Sequence, residues 1–139
     1  MNFGNKVEEF AKEAMEKTAR KRTGIIMALL GDIISDTPVG NPKNWRSGGS
    51  SDGYVGGRLR TNWQTTTDGY ANGVIEGVDL NRPMRQVMST VRNNFDTIYF
   101  ANNLPYAGRI EFTGWSWKQA PEGMVRKNIE RHKQKGSFL

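Results

Sequence analysis

The sequence predicts a small α+β domain, with a long N-terminal helix and shorter helices packed on a small antiparallel sheet and joined by long aromatic-bearing loops. Three observations predict it. Apolar residues recur at helical spacing over residues 3–35, over residues 80–95 and again after Pro121. Two segments, 58–66 and 96–102, place their apolar residues at even spacing and carry β-branched or aromatic side chains. Between them lie stretches rich in Gly, Pro, Asn and Ser.

In the first segment, Phe3, Val7, Phe10 and Ala14 follow steps of four, three and four, which is one helical face. Glu8–Lys12, Glu13–Lys17 and Glu16–Arg20 are acid-before-base pairs four apart, each contributing a few tenths of a kcal/mol. Arg20-Lys21-Arg22-Thr23-Gly24 interrupts the apolar face, and Ile26, Leu29, Leu30 and Ile33 resume it. A kink or break near Gly24 is therefore expected. A helix of this kind needs a sheet or another subunit to cover its stripe.

Residues 36–57 are the least regular, with Thr37-Pro38, Gly40-Asn41-Pro42 and a Gly/Ser run at 47–53. Trp45 and Tyr54 lie within this connection, and large aromatics in a long loop point to a surface that packs on something else. A strand is expected over 58–66, with Leu59 and Trp63 sharing a parity. Asp68-Gly69 signals a turn, and Val74-Ile75 with Val78 forms the expected second strand. Met84, Val87, Met88, Val91 and Phe95 place a helix over 80–95, with Pro83 in its first turn and Asp79 or Asn81 as cap. A strand follows at 96–102, then a helical turn after Pro105 carrying Tyr106, Ile110 and Phe112. Gly114 to Pro121 is a second aromatic loop, and Pro121-Glu122 opens a last helix with Val125 and Ile129 inward and a basic end suited to the helix dipole. Residues 134–139 read as frayed. The whole is one domain, 1–139, divided into the N-terminal helix (1–35), the extended loop (36–57), the core (58–126) and the basic C-terminal helix and tail (127–139).

Composition narrows the function. The chain has 139 residues, 36% of them hydrophobic, with 16 glycines. That is polar for a self-sufficient globule and points to order completed by neighbours. Cysteine is absent, which removes disulfides and thiolate metal sites. No apolar run approaches the roughly 20 residues that span a bilayer, and Met1 to Lys6 lacks a signal-peptide layout, so a soluble product made in the cytosol is expected. The net charge of +6 suits nucleic acid, an acidic partner or neither.

No residue pattern points to catalysis. The single histidine, His132, sits in the basic last helix and reads as solvated. Glu111 and Glu122 flank the second aromatic loop, and a salt bridge from Glu111 to Arg109 or Arg126 is the economical reading. Gly48-Gly49 and Gly56-Gly57 are not followed by a phosphate-loop Lys-Ser/Thr. Trp45, Arg46, Tyr54, Arg58, Arg60 and Trp63, and later Trp115, Trp117 and Lys118, interleave charge with aromatics. Such a set can stack single-stranded nucleic acid, but the same types are enriched at protein interfaces. Trp63 and Phe100 are expected in the core.

Two stretches carry a resemblance. One is Thr37-Pro38-Val39-Gly40-Asn41-Pro42, Trp45, and Gly53 to Gln64. The other is Ile98 to Ala107, Glu111-Phe112, Gly114-Trp115-Ser116, and Lys118 to Arg126. Together they resemble the neck and tail-completion family of long-tailed siphophages, which includes relatives of the lambda minor tail protein Z. Many members have a shorter first loop than this chain. The resemblance implies a structural virion protein, not an enzyme, without cofactor or metal. It implies a homo-oligomeric ring at the head–tail junction, six-fold favoured and twelve-fold possible, made in the host bacterial cytoplasm. Its partners would be further copies, head-closure or connector proteins, and tail-terminator or tail-tube proteins, with DNA passing through without sequence-specific binding and no membrane involved. The interface residues expected are Trp45, Tyr54, Arg58, Arg60, Tyr106, Arg109, Trp115, Trp117, Lys118 and Arg126. The alternative is a small basic nucleic-acid-binding phage protein.

Overall fold

The computed structural model describes residues 3–40, 56–92, 97–113 and 120–136. These form an α+β arrangement of five helices and one two-stranded antiparallel sheet: α1 (Phe3–Asp36), α2 (Arg58–Thr61), β1 (Trp63–Thr66), α3 (Arg82–Val91), β2 (Tyr99–Asn102), α4 (Ala107–Thr113) and α5 (Val125–Gln134). β1 pairs with β2 in a register that sets Trp63 opposite Asn102 and Thr65 opposite Phe100. α1 packs on α3 and α5, and α3 packs on β1.

α1 runs unbroken for 34 residues, about 50 Å of helix. The break expected at Gly24 does not occur. A glycine in a helix interior costs only about 1 kcal/mol, and the flanking Lys, Arg, Met, Ala and Leu residues are strong enough formers to carry the ladder through. Only the second half of α1 joins the core, through Leu30, Ile33 and Ile34, with Ile26, Met27 and Leu29 packed beside them. Leu59, Trp63, Val87, Val91, Leu104, Ile110, Ala120 and Met124 complete that core.

The strand expected at 58–66 begins late. Arg58–Thr61 instead form one helical turn, launched from Gly57 at φ +106°. Leu59 and Trp63 are four apart, a spacing that serves a helical turn as well as a strand face, and both are buried. A β-carbon on Gly57 would stand 2.7 Å from Leu80, so the turn also needs glycine for room.

No strand forms at 74–78. Gly73 (φ +104°) and Gly77 (φ +79°) turn the backbone out of the extended region at both ends of that run. Side-chain amides and a hydroxyl hold the connection instead. Asn62 bonds Ile75 on both its N–H and its carbonyl, Gln64 Nε2 donates to the Gly73 carbonyl, and Asn103 Nδ2 donates to the carbonyls of Ala71 and Gly73. The Asp79 N–H donates to Thr61 Oγ1. Asp79 then accepts from the N–H groups of Asn81 and Arg82, so it is the cap of α3. α3 starts at Arg82, two residues later than expected, and Val87 and Val91 are fully buried while Met88 is exposed. Phe95 lies outside the described residues.

Indole stacking fixes the sheet to α1. Trp63 and Phe100 lie parallel, with ring centroids 4.5 Å apart; Trp63 is in the core as expected, and Phe100 packs against it half-buried. The Trp63 indole N–H donates to Thr37 Oγ1 at 2.7 Å, and the Thr37 hydroxyl donates to the Ile33 carbonyl at 2.7 Å. One hydroxyl thus answers both a buried indole and an end carbonyl of α1. Arg60 adds the next contacts, donating from Nε and Nη2 to the Thr37 carbonyl and from Nη2 to Ser35. Arg82 binds the carbonyls of Thr61 and Trp63, which ties α3 to the α2–β1 junction.

The backbones of Gly40 and Gly56 stand side by side. A β-carbon on Gly56 would run into the Gly40 carbonyl. The glycine is needed here for close approach.

The Thr37 hydroxyl gives a direct test. Thr37→Val keeps the shape but strands the Trp63 indole N–H in the core, a loss of about 1–3 kcal/mol. Thermal unfolding followed by circular dichroism should show a midpoint lowered by several degrees; an unchanged midpoint would remove Thr37 from the account.

Candidate functional site

Two features stand apart from the core: a carboxylate-built seat for α5, and the uncovered first half of α1.

α5 has no cap of its own, because Met124 at its N-cap position offers no side-chain oxygen. Glu111, from α4, supplies the missing acceptor. Its Oε2 accepts from the N–H groups of Met124 (2.6 Å) and Val125 (2.9 Å), and its Oε1 from Arg126 N–H (2.9 Å) and Arg126 Nε (3.1 Å). Arg126 also donates to the Glu111 carbonyl. The helix start is delayed from the expected Pro121 to Val125 because Gly123 turns at φ +85° to bring these N–H groups round. A β-carbon there would meet Glu111 Oε2 at 2.7 Å. Burial pushes the Glu111 carboxyl up, but the N–H groups of Arg126, Met124 and Val125 together with the Arg126 guanidinium outweigh it and hold it below the ordinary range.

The inner face of α5 is polar. Asn128 and His132 are buried, whereas Val125 and Ile129, expected inward, are only half covered. The reason is the facing side of α1, which carries Asp32 and Asp36 one turn apart. His132 Nε2 lies 2.7 Å from Asp32 Oδ2, so His132 is a buried partner of α1 and not the solvated residue expected. Asp36 Oδ2 accepts from Asn128 Nδ2 (3.0 Å) and pairs with Lys127 (3.3 Å) and Arg131 (3.7 Å). Burial raises the Asp36 carboxyl, while Asn128, Lys127 and Arg131 lower it by more.

Of the expected interface residues, Trp45, Tyr54, Trp115, Trp117 and Lys118 lie outside the described residues. Arg60 and Arg126 are used inside the fold, as the terminal clasp of α1 and the partner of Glu111. The Glu111 salt bridge anticipated to Arg109 or Arg126 goes to Arg126. The Arg126 guanidinium also lies over the Phe112 ring, 4.7 Å from its centroid, and Phe112 is itself exposed. Tyr106 is half-buried beside the core, and Arg58 and Arg109 are exposed. Among the described ones, Arg60 and Arg126 thus serve as internal clasps, Tyr106 sits beside the core, and Arg58 and Arg109 lie at the surface.

A further surface, the stripe expected to need cover, is on α1. Every residue from Phe3 to Thr18 is exposed, including Phe3 (82%), Val7 (50%) and Phe10 (73%). These are the residues of the stripe read as needing cover. About 24 Å of amphipathic helix thus projects beyond the core. The signal was in the sequence: the basic run at 20–22 separates one apolar face from the other, which marks where the core stops. Among the described residues, no group of His, Asp and Glu could hold a metal ion, and no helix is long and apolar enough to cross a membrane.

The α5 seat carries a pH dependence. Both Glu111 and Asp36 are lowered on folding, so their stabilisation is present above their ordinary values (4.5 and 3.8) and is lost as pH falls through the lowered ones. Acid titration should release α5 first, read by amide exchange at residues 125–134. Glu111→Gln should flatten that dependence and lower stability at neutral pH by about 0.5–2 kcal/mol, the range for a lost cap. No protein-family model, curated protein or solved structure matches this chain.

Proposed function

We propose that this chain is a structural subunit of the head–tail junction of a long-tailed bacteriophage, joining copies of itself into a ring and acting by fit and not by catalysis. The observation that carries the reading is the projecting half of α1. A single copy leaves Phe3, Val7 and Phe10 in water, which supports the reading of a part completed by other polypeptides. The similarity of segments 37–63 and 98–126 to neck and tail-completion proteins supplies the kind of assembly. The roots of both aromatic segments are firm. Gly40 and Gly56 meet at the base of one, and Ala120, at the far side of the other, is fully buried.

Internal use of Arg60, Arg82, Arg126, Lys127 and Arg131 also bears on the nucleic-acid alternative, because these five of the 20 lysines and arginines already answer carbonyls and carboxylates of the same chain. The test is a particle-assembly experiment with Trp115→Ala combined with Trp117→Ala. The expected outcome is a folded, soluble subunit that leaves heads and tails unjoined under the electron microscope. Normal joined particles would overturn the docking role. Tight, steeply salt-dependent binding of a free oligonucleotide, lost in the same variant, would establish the nucleic-acid reading instead.

A further inference from the structure

The uncovered stripe of α1 has a pattern that selects its own partner. Phe3, Val7, Phe10 and Ala14 form a seam with alternating steps of four and three, the spacing of a coiled coil. One flank of that seam is small: Gly4, Ala11 and Thr18. The other is charged: Lys6, Glu13 and Arg20. All of these residues up to Thr18 are exposed.

We propose that α1 pairs antiparallel with α1 of a second copy of this chain, across a two-fold axis between Val7 and Phe10. In that register Val7 of each copy packs against Phe10 of the other, and Phe3 packs against Ala14, so each large ring meets a smaller side chain. On the charged flank Lys6 of each copy faces Glu13 of the other, which gives two opposite-charge pairs. On the small flank Gly4 faces Ala11, which lets the helix axes approach. Lys17 and Lys21, which continue the seam, fall beyond the overlap and stay in water. A parallel, in-register pair would instead set Lys17 against Lys17 and Lys21 against Lys21 inside the seam, and would leave Lys6 and Glu13 facing Ala11 and Thr18 with no countercharge. The overlap ends at Ala14, before the residues where α1 meets its own core, so the two cores sit at opposite ends without colliding. Such a pair closes on itself. It is a form of the free subunit and does not build a ring; it occupies the stripe that ring contacts would have to cover, so one copy cannot hold both at once.

Sedimentation equilibrium on the full chain tests it. A concentration-dependent dimer is expected, and Phe10→Glu should abolish it. Lys6→Glu or Glu13→Lys should each weaken it roughly tenfold by turning both cross pairs into like-charge contacts, and the two together should restore it. Circular dichroism checks that these exposed changes leave α1 helical. Because the chain has no cysteine, Val7→Cys and Phe10→Cys chains can also be mixed under oxidation. The mixed disulfide should form faster than either homodimeric one. A chain that stays monomeric up to millimolar concentration, a charge swap that fails to rescue, or faster self-crosslinking of the Val7→Cys chain would overturn the proposal. None of these results would bear on whether Trp115 and Trp117 join heads to tails.

Discussion

The C-terminal end of α1 is where the fold is decided. A helix end carries carbonyls with no partner in the ladder, and here that end is driven into the core by Leu30, Ile33 and Ile34. Burial is tolerable because the carbonyls of Ile33, Ile34 and Ser35 are met. Thr37 binds Ile33 and receives Trp63, and Arg60 takes the Thr37 and Ser35 carbonyls. These contacts also decide where the sheet can lie, since Trp63 begins β1 and stacks on Phe100 of β2. The two strands are too short to be stable as an isolated ribbon, and they persist because one indole is stacked, buried and hydrogen-bonded at once.

The same economy runs through the charged groups. Four of the chain's acidic residues, Asp32, Asp36, Asp79 and Glu111, serve as caps or as seats for helices. Arginine does the complementary work on carbonyls. Arg60 and Arg82, bound to backbone carbonyls, are thus positive charges used inside the fold. α5 is the extreme case: its inward side is amide and imidazole where a hydrophobic stripe would be ordinary, so its attachment is electrostatic and responds to acid in a way that the Leu, Ile and Val contacts of α1 do not.

Much of this architecture was legible in the residues. The helices at 3–36, 82–91 and 107–113, the strand at 99–102 and the places of Trp63 in the core and Phe100 against it follow from periodicity and composition. What failed did so for identifiable reasons. Leu59 and Trp63 are spaced for a strand or a helical turn, and Gly57 settles the matter through an angle no pattern reveals. Val74 and Val78 have β propensity, but a strand needs a neighbour, and Asn62 and Asn103 had already claimed that backbone. His132 looked solvated because its partner, Asp32, is 100 positions away in sequence. The uncovered half of α1 was visible as a stripe needing cover, but no local rule says whether cover comes from the same chain.

The meeting of Gly40 and Gly56 has a consequence for how this protein can vary. Two chain ends held side by side already meet most of the requirement for closing the segment between them, and doubling its length changes the closure free energy by only about 0.6 kcal/mol. The position is a natural port for grafted sequence, whether a length variant acquired in evolution or an epitope inserted at the bench, with the rest of the molecule folding as before.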